Sequence, residues 1–155
     1  MVFMSVTRLR VRSLRYLVPF IWRTLHTARQ AEQAEGFLGG KLLREARNAF
    51  WTVTAWESEA AMLAYRNAGE HRDVMPKLLD WCDEASVVHW QQDGAELPNW
   101  LEAHRRISAE GRLSKVRHPS PDQEAKRIPA PHPGIIQRPL KPALTRAATI
   151  DGTTH

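Results

Sequence analysis

The sequence predicts an α+β protein built on a ferredoxin-like β-α-β-β-α-β sheet. Segments in which apolar residues alternate with period two are interleaved with segments in which they recur at helical spacing. Their order is strand, helix, two strands, helix and strand. The length of 155 residues, with 43% hydrophobic and 25% charged residues, suits one globular domain with a real core.

The first strand and helix come from residues 2–35. Residues 2–11 alternate as a strand does, and one predicted face carries Phe3, Ser5, Thr7, Leu9 and Val11. A helix is predicted over residues 13–35, where the apolar residues form a single stripe, and Gly36 ends it. Because Pro19 lacks a backbone donor, we expect the helix to kink there or to begin just before it.

The next two strands are predicted over residues 37–45 and 48–56. Gly39 and Gly40 indicate a bulge in the first of them. The second, "NAFWTVTAW", carries no charge on either face. A strand that is apolar on both faces must be covered on both, so the sheet is predicted to have no solvated face here.

The second crossover is predicted to consist of two helices. Ser58 is a good N-cap for the first, which we expect to end at Gly69. The second is predicted over residues 73–83, with Pro76 in its first turn. The fourth strand, "ASVVHWQQ", follows, and then an extra helix over 98–110 and a short extended piece, "LSKVR".

Residues 1–117 therefore form the predicted ferredoxin-like domain. Residues 118–155 carry seven of the ten prolines and no Trp, Tyr or Phe, so we expect a disordered or loosely draped tail. Its possible docking points are Ile135, Ile136, Leu140 and Leu144.

The predicted helices cover one face of the sheet, and the other face is apolar. Pairing of two sheets from two copies would cover it, so we expect a homodimer, a dimeric α+β barrel with an extra C-terminal helix and tail. The alternative is a monomer whose extra helix and tail cover that face.

The net charge of +5 suits an anionic partner, but its distribution favours a solvated basic rim over a nucleic-acid interface. The first 31 residues hold six arginines and no acid: Arg8, Arg10, Arg12, Arg15, Arg23 and Arg29. There is no zinc spacing, Gly-rich RNA-binding motif or lysine run, so no nucleic acid is expected. An anionic partner on these arginines is kept as a weaker hypothesis.

The sequence shows few signs of a targeting segment, a membrane span or a disulfide. An Arg-rich start is typical of transit peptides, yet the strand pattern "VFMSVTRLRV" belongs to the domain. The apolar run "YLVPFIW" is too short to span a bilayer, so no transmembrane segment is expected. Cys82 is the single cysteine and has no intrachain partner. A cytoplasmic location is the default expectation.

The stretch "FWTVTAWESEAAMLAYRNAGEHRDVMPKLLDWCDEASVVHW" (50–90) resembles the antibiotic biosynthesis monooxygenase-like superfamily of dimeric α+β barrels. It is more closely similar to an uncharacterised branch grouped with the DUF3291 and spheroidene monooxygenase-like families. The match is carried by the aromatic strand, "W-E-S-x-x-A-M", a Tyr and "G-x-H-R-x-x-M-P", and it extends through residues 1–117.

The resemblance implies an apolar barrel pocket, enclosed by the inner face of each half-barrel and the flanking helices, but no particular reaction. Enzymes of the superfamily oxidise aromatic polyketides or quinols, some without any cofactor, and relatives bind haem through a histidine. It therefore implies a monooxygenase-like protein that binds an aromatic or polyene small molecule. The cofactor is then none or haem. The alternative is a non-catalytic small-molecule-binding or scaffold dimer.

His71 is the candidate catalytic residue. The resemblance places it where haem-binding relatives carry their ligand, and a neutral imidazole also serves as a general base. A structural role at a helix junction is the competing interpretation. Tyr65 and Arg72 are near in sequence and are predicted to complete a polar cluster.

Four further residues are candidates for substrate contact: Trp51, Trp56, Met75 and His89. Trp51 and Trp56 lie on opposite faces of one predicted strand, so one faces the helices and the other the barrel interior, where it could stack on a planar substrate. Core and dimer packing is the alternative role for both. His89 is expected to point inwards or to lie hydrogen-bonded in the core. No histidine pair has the spacing of a zinc hydrolase, so no metal site is predicted apart from haem. The stretch "GFLGGK" (36–41) lacks the spacing of a phosphate-binding loop.

Overall fold

A computed structural model describes residues 1–132 and 136–143 of the chain. Its strands are Val2–Val11 (β1), Phe37–Glu45 (β2), Ala49–Trp56 (β3), Cys82–Gln92 (β4), Arg112–Leu113 (β5) and Ile136–Leu140 (β6). Its helices are Leu14–Gln33 (α1), Glu59–Arg66 (α2), Gly69–Trp81 (α3), Trp100–Glu110 (α4) and Pro121–Glu124 (α5).

The strands form a single antiparallel sheet in the order β5-β4-β1-β3-β2-β6. The four central strands have the order of the ferredoxin-like fold, which confirms the predicted fold class. The two short strands β5 and β6 extend the sheet by one strand at each edge.

Helices α1, α2 and α3 cover one face of the sheet. Their side chains pack there on Phe3, Val11 and Trp56 of the strands. On the other face, Ala103 and Ile107 of α4 join a buried cluster made largely by the strands: Met4, Val6, Leu43, Trp51, Val53, Ala55, Val88 and Trp90. Both apolar faces are thus covered within one chain, as in the monomer alternative, and face-to-face pairing of two sheets would have to displace α4.

Helix α1 begins five residues before Pro19 and continues past it. The helix predicted over residues 13–35 is therefore present, and of the two alternatives for Pro19 the start just before it is wrong. Phe20, next to Pro19, is 1% exposed and packs on β1 and β4 through Val11 and Cys82. Burial of this face offsets the single backbone hydrogen bond that the proline removes.

The junction between α2 and α3 also differs from the prediction. Ser58 caps α2 as predicted, since its hydroxyl accepts a hydrogen bond from the Ala61 N–H. However, Gly69 does not end α2. It begins α3 with φ +54°, a left-handed conformation that costs glycine little. The helix therefore begins four residues early, and Pro76 lies in its middle, on an exposed side where water can satisfy the freed carbonyl.

The predicted bulge in β2 is confirmed. The register with β3 shifts between Phe37 and Gly39. Gly40 lies so close to β3 that a Cβ atom there would be 2.5 Å from the carbonyl oxygen of Val53. Any side chain at this position would separate the two strands.

The extra helix is present as α4. It begins at Trp100, because Asn99, and not Pro98, provides the N-cap by accepting a hydrogen bond from the Glu102 N–H. Of the extended piece predicted after it, only Leu113 is in a strand.

The tail, predicted to be disordered or loosely draped, has regular structure in its described part. Strand β6 pairs with β2 along residues 136–140, and Leu140 is 3% exposed, whereas Ile136 is 54% exposed. Backbone hydrogen bonding to an open sheet edge needs few apolar side chains, which is why composition did not predict it. Ile135 and Leu144 lie outside the described residues. No helix among the described residues is long and apolar enough to cross a membrane.

Candidate functional site

A cavity of about 230 Å³ lies between the sheet and helices α1, α2 and α3. The strands β1, β3 and β4 form its floor, and the three helices form its roof. Of the predicted site residues, His71, Tyr65, Met75 and His89 line this cavity. The structure therefore brings together four of the seven candidates.

The floor is lined with hydroxyl groups because of the register of the strands. Ser5 of β1 lies opposite Thr54 of β3, and Thr7 lies opposite Thr52. On the other side of β1, Ser5 pairs with His89. Within the described chain, the four hydroxyls make no side-chain hydrogen bond, so they are available to a ligand. The sequence contained the signal, since these residues alternate on one predicted face of each strand.

The roof of the cavity carries both apolar and polar side chains, and its polar lining includes Arg23, Thr24, Thr27 and Arg66. Its lining includes Phe20 from α1, Met62 from α2, and Val74, Met75 and Leu78 from α3. Met75 is 42% exposed and so lies at the edge of the cavity. A largely apolar planar molecule with a few oxygen substituents would be matched by this mixed lining.

His71 lies in the first turn of α3, where it is partly buried. Its Nδ1 is 3.2 Å from the carbonyl oxygen of Arg66. A carbonyl only accepts, so Nδ1 carries the proton and Nε2 has a free lone pair. Burial lowers the pKa of His71, which keeps the ring neutral at pH 7. The imidazole is therefore prepared to accept a proton.

Gln30 of α1 holds the chain at the α2–α3 junction in place. Its side-chain amide donates to the carbonyl oxygens of Tyr65, at 3.1 Å, and Ala68, at 2.8 Å. Its carbonyl oxygen accepts a hydrogen bond from the His71 N–H, at 2.9 Å. Sequence reasoning missed this residue, because it lies 41 positions from His71 and no local pattern marks it.

Tyr65 forms one wall of the cavity beside His71. Its ring meets the imidazole edge to face, with 4.9 Å between centroids, and stacks on Trp56 at 5.0 Å. Its hydroxyl donates to the carbonyl oxygen of Thr27. Burial raises the pKa of Tyr65, so the phenol stays protonated and its proton is engaged. Tyr65 shapes the site and does not exchange protons.

His89 contributes a second imidazole to the floor. It packs on Phe3, with 5.2 Å between ring centroids. Burial lowers the pKa of His89, and the positive charges of Arg66 and Arg112 lower it further. His89 is therefore also neutral at pH 7, and it is the second candidate base.

Three predicted site residues do not line this cavity. Trp51 is fully buried on the opposite face of β3, where it packs edge-on to His104 and under the guanidinium of Arg8. Trp56 faces the helices but is buried behind Tyr65. Arg72 is exposed and pairs with Asp73. Strand alternation put one Trp on each face, as predicted, but the neighbouring side chains determine which faces reach a cavity.

Most of the N-terminal arginines are not a solvated rim. Arg8 is 5% exposed in its side chain and pairs with the buried Glu84 at 3.5 Å. Three others pair with acids of α3 or of the start of β4: Arg10 with Asp83, Arg12 with Asp80 and Arg23 with Glu70. Their charges tie β1 and α1 to the second crossover. Within the described residues, no cluster of three or more His, Cys, Asp or Glu is placed to hold a metal.

The stability of the protein is expected to fall as the pH drops below about 6.5, the ordinary pKa of histidine. Because burial lowers the pKa of His71 and His89, the unfolded chain takes up protons there that the folded chain does not. The free energy of unfolding is then retained above that pH and decreases below it. Urea denaturation at several pH values measures this slope.

The control for this prediction is a variant with both His71→Gln and His89→Gln. The difference between the pH slopes of the wild type and the variant is the contribution of the two histidines. The slope that remains in the variant includes Asp83 and Glu84, whose pKa values burial raises. An identical slope in both proteins would contradict the prediction.

Comparison with known proteins supports the fold. The family model described as antibiotic biosynthesis monooxygenase (ABM) matches residues 21–77, a segment that includes Gln30, Tyr65 and His71. The α+β fold with its antiparallel sheet is the one that structural neighbours of this family have. No curated protein matches it.

Solved structures share this fold at low identity. The protein Rv0793 from Mycobacterium tuberculosis is 11% identical, with a TM-score of 0.56 over 62% of this chain and 100% of that one. A conserved protein from Methanosarcina mazei is 12% identical, with a TM-score of 0.53 over 60% and 94%. A mutant of SnoaB, a cofactor-independent oxygenase from Streptomyces nogalater, is 17% identical, with a TM-score of 0.51 over 60% and 94%.

Proposed function

We propose that this chain is a monooxygenase-like enzyme that binds an aromatic small molecule in the cavity and uses His71 as its general base. The observation that carries the proposal is the position of His71. A neutral imidazole with a free Nε2 lines a cavity that has hydroxyl groups on its floor and apolar side chains in its roof. The similar structure described as a cofactor-independent oxygenase supports it as an analogy of fold.

The proposed reaction needs only the substrate, a base and oxygen. His71 Nε2 removes a proton from an activated CH₂ group of the substrate, which leaves an electron-rich anion. The anion reduces O₂ and forms a C–O bond. Loss of the second hydrogen and cleavage of the O–O bond then give a carbonyl and one water. The proton on His71 leaves with that water, and the low pKa of the buried ring favours this return to the neutral form.

The floor favours an aromatic substrate with oxygen substituents over a polyene hydrocarbon. The hydroxyls of Ser5, Thr7, Thr52 and Thr54 would lose water and gain no partner against a hydrocarbon, which costs free energy. Against carbonyl or hydroxyl groups of a ligand they gain hydrogen bonds. Membership of the DUF3291 or spheroidene monooxygenase-like branch stays a prediction.

The cavity does not fit haem. His71 has the free nitrogen and the second hydrogen bond that are usual in a metal-binding histidine. Its cavity of about 230 Å³, however, is smaller than the roughly 300–1,000 Å³ that drug-sized ligands occupy, and haem is at least of that size. No step of the proposed reaction uses haem.

Oxygen consumption with an anthrone substrate tests the proposal. The wild-type protein is expected to consume O₂ and to release the corresponding quinone. A Thr7→Trp variant, which fills the floor of the cavity, is expected to lose this activity. Arg72→Ala, a change at an exposed residue outside the cavity, is expected to keep it. Tight anthrone binding without O₂ consumption would instead favour the non-catalytic binding protein.

Replacement of Gln30 is expected to lower kcat with little change in KM. In Gln30→Ala the carbonyls of Tyr65 and Ala68 and the N–H of His71 lose their partner, so the imidazole is no longer held. Misplacement of a catalytic group by about 1 Å costs up to about 10²-fold in rate. Steady-state kinetics over a range of pH measures the effect.

Gln33→Ala is the matched control, because Gln33 is exposed one turn further along α1. Gln30 would have only a structural role if kcat and KM changed equally in Gln30→Ala. The same conclusion would follow if Gln33→Ala lowered kcat as much as Gln30→Ala.

The homodimer and the cytoplasmic location stay predictions. The reason for expecting a dimeric barrel was an uncovered apolar face, and in this chain α4 covers that face. Light scattering measures the assembly state directly.

A further inference from the structure

Helix α1 carries an apolar stripe on its outer side in addition to the one that packs on the sheet. Leu14, Val18, Trp22 and Leu25 recur at helical spacing and are 73%, 76%, 63% and 42% exposed. A row of exposed apolar side chains on one side of a helix is typical of a contact surface. We name these four residues the outer stripe.

Positive charge surrounds the outer stripe. Arg15 and Arg29 are exposed on the same helix, and Arg44 and Arg138 line the groove beside it. None of the four forms an ion pair with a carboxylate of the described residues, unlike Arg10, Arg12 and Arg23 of the same N-terminal region. The first acid in the chain, Glu32, is in the last turn of α1 and is hydrogen-bonded to the N–H of Lys141.

We propose that the outer stripe docks the protein on an anionic lipid surface. A helix with exposed Trp and Leu beside unpaired arginines lies in the membrane interface, with its apolar side among the acyl chains. Each arginine near an anionic surface adds about 1 kcal/mol of attraction. A second copy fits less well, because symmetric contact between two outer stripes would bring the same arginines together.

The groove beside the outer stripe is placed to receive a molecule from the lipid surface. It has a volume of about 200 Å³, and its lining includes Ile21, Leu25, Leu42, Phe50 and Ile136. Phe50, Thr24 and Thr52 line both this groove and the cavity that contains His71. An apolar molecule dissolved in the bilayer would therefore reach the groove next to the cavity. Lipid docking itself does not depend on the reaction proposed above.

Vesicle co-sedimentation of the full chain tests the proposal. Vesicles of phosphatidylcholine alone are compared with vesicles that also contain phosphatidylserine. We expect at least about tenfold stronger binding to the anionic vesicles, and weaker binding as the salt concentration rises. Val18→Asp and Arg15→Glu are expected to reduce binding, and thermal denaturation shows whether both variants remain folded.

Leu101→Asp is the matched control. Leu101 is 71% exposed, but it lies on α4, on the opposite side of the sheet from α1. The proposal requires this variant to bind like the wild type. It would be overturned by absence of binding to anionic vesicles, by equal losses in Leu101→Asp and Val18→Asp, or by a dimer that Val18→Asp converts to a monomer. The last result would assign the outer stripe to a second copy.

Discussion

A His71→Gln variant is expected to lose about 10²- to 10⁴-fold in kcat for anthrone oxidation, the usual contribution of a general base. Glutamine keeps a donor that can reach the Arg66 carbonyl oxygen, but it has no basic nitrogen to direct at the substrate. Binding of the substrate, measured by fluorescence quenching, is expected to change little. The loss should therefore appear in kcat and not in the dissociation constant.

The pH dependence of the wild-type rate gives a second test of His71. Because burial lowers the pKa of His71, the rate is expected to persist below about pH 6.5, where free histidine is protonated, and to fall only at lower pH. His118→Gln is the control, since His118 is 58% exposed in its side chain and is not among the residues that line the cavity. Loss of activity in His89→Gln with retention in His71→Gln would assign the base to His89.

A Trp51→Ala variant is expected to be less stable by about 3–5 kcal/mol, the usual cost of removing a buried Trp side chain. Trp51 is fully buried in the cluster beneath α4 and lies under the guanidinium of Arg8. Its loss leaves a void on the side of the sheet that does not face the His71 cavity. Urea denaturation measures the change in the free energy of unfolding.

Trp22→Ala is the control for this prediction. Trp22 is 63% exposed, and surface substitutions of this kind change stability by no more than about 0.5 kcal/mol. A similar small change in Trp51→Ala would mean that Trp51 is not a core residue. Ligand binding by the folded fraction of Trp51→Ala is expected to be normal, because the residue does not line the cavity.

The regular elements of residues 1–117 could largely be predicted because their signals are local. The alternation of apolar and polar residues predicted β1, and the N-cap residue Ser58 predicted the start of α2. The prediction failed where a backbone conformation competed with a local rule. Gly69 adopts a left-handed conformation that starts a helix, and Pro76 is tolerated inside α3. Neither outcome has a unique signature in the sequence.

The candidate site was predicted only in part, for a different reason. His71, Tyr65 and Met75 are close in sequence, so one helical junction carries all three. His89 joins them because the register of β1 and β4 places it beside Ser5. Gln30 comes from a helix that no local pattern connects to that junction. Pairings between distant segments depend on packing, and single-sequence patterns do not encode them.

By itself, the sequence determined the ferredoxin-like order of elements and the face on which each strand residue lies, because the periods of strands and helices are properties of the local backbone. Only the tertiary structure decided which face encloses a cavity, which tryptophans are core, and what covers the second apolar face. Helix α4 covers that face within the same chain, and strand β6 pairs with the outer side of β2. These results depend on contacts between residues far apart in sequence, whose free energies are set by burial and hydrogen bonding in the assembled fold.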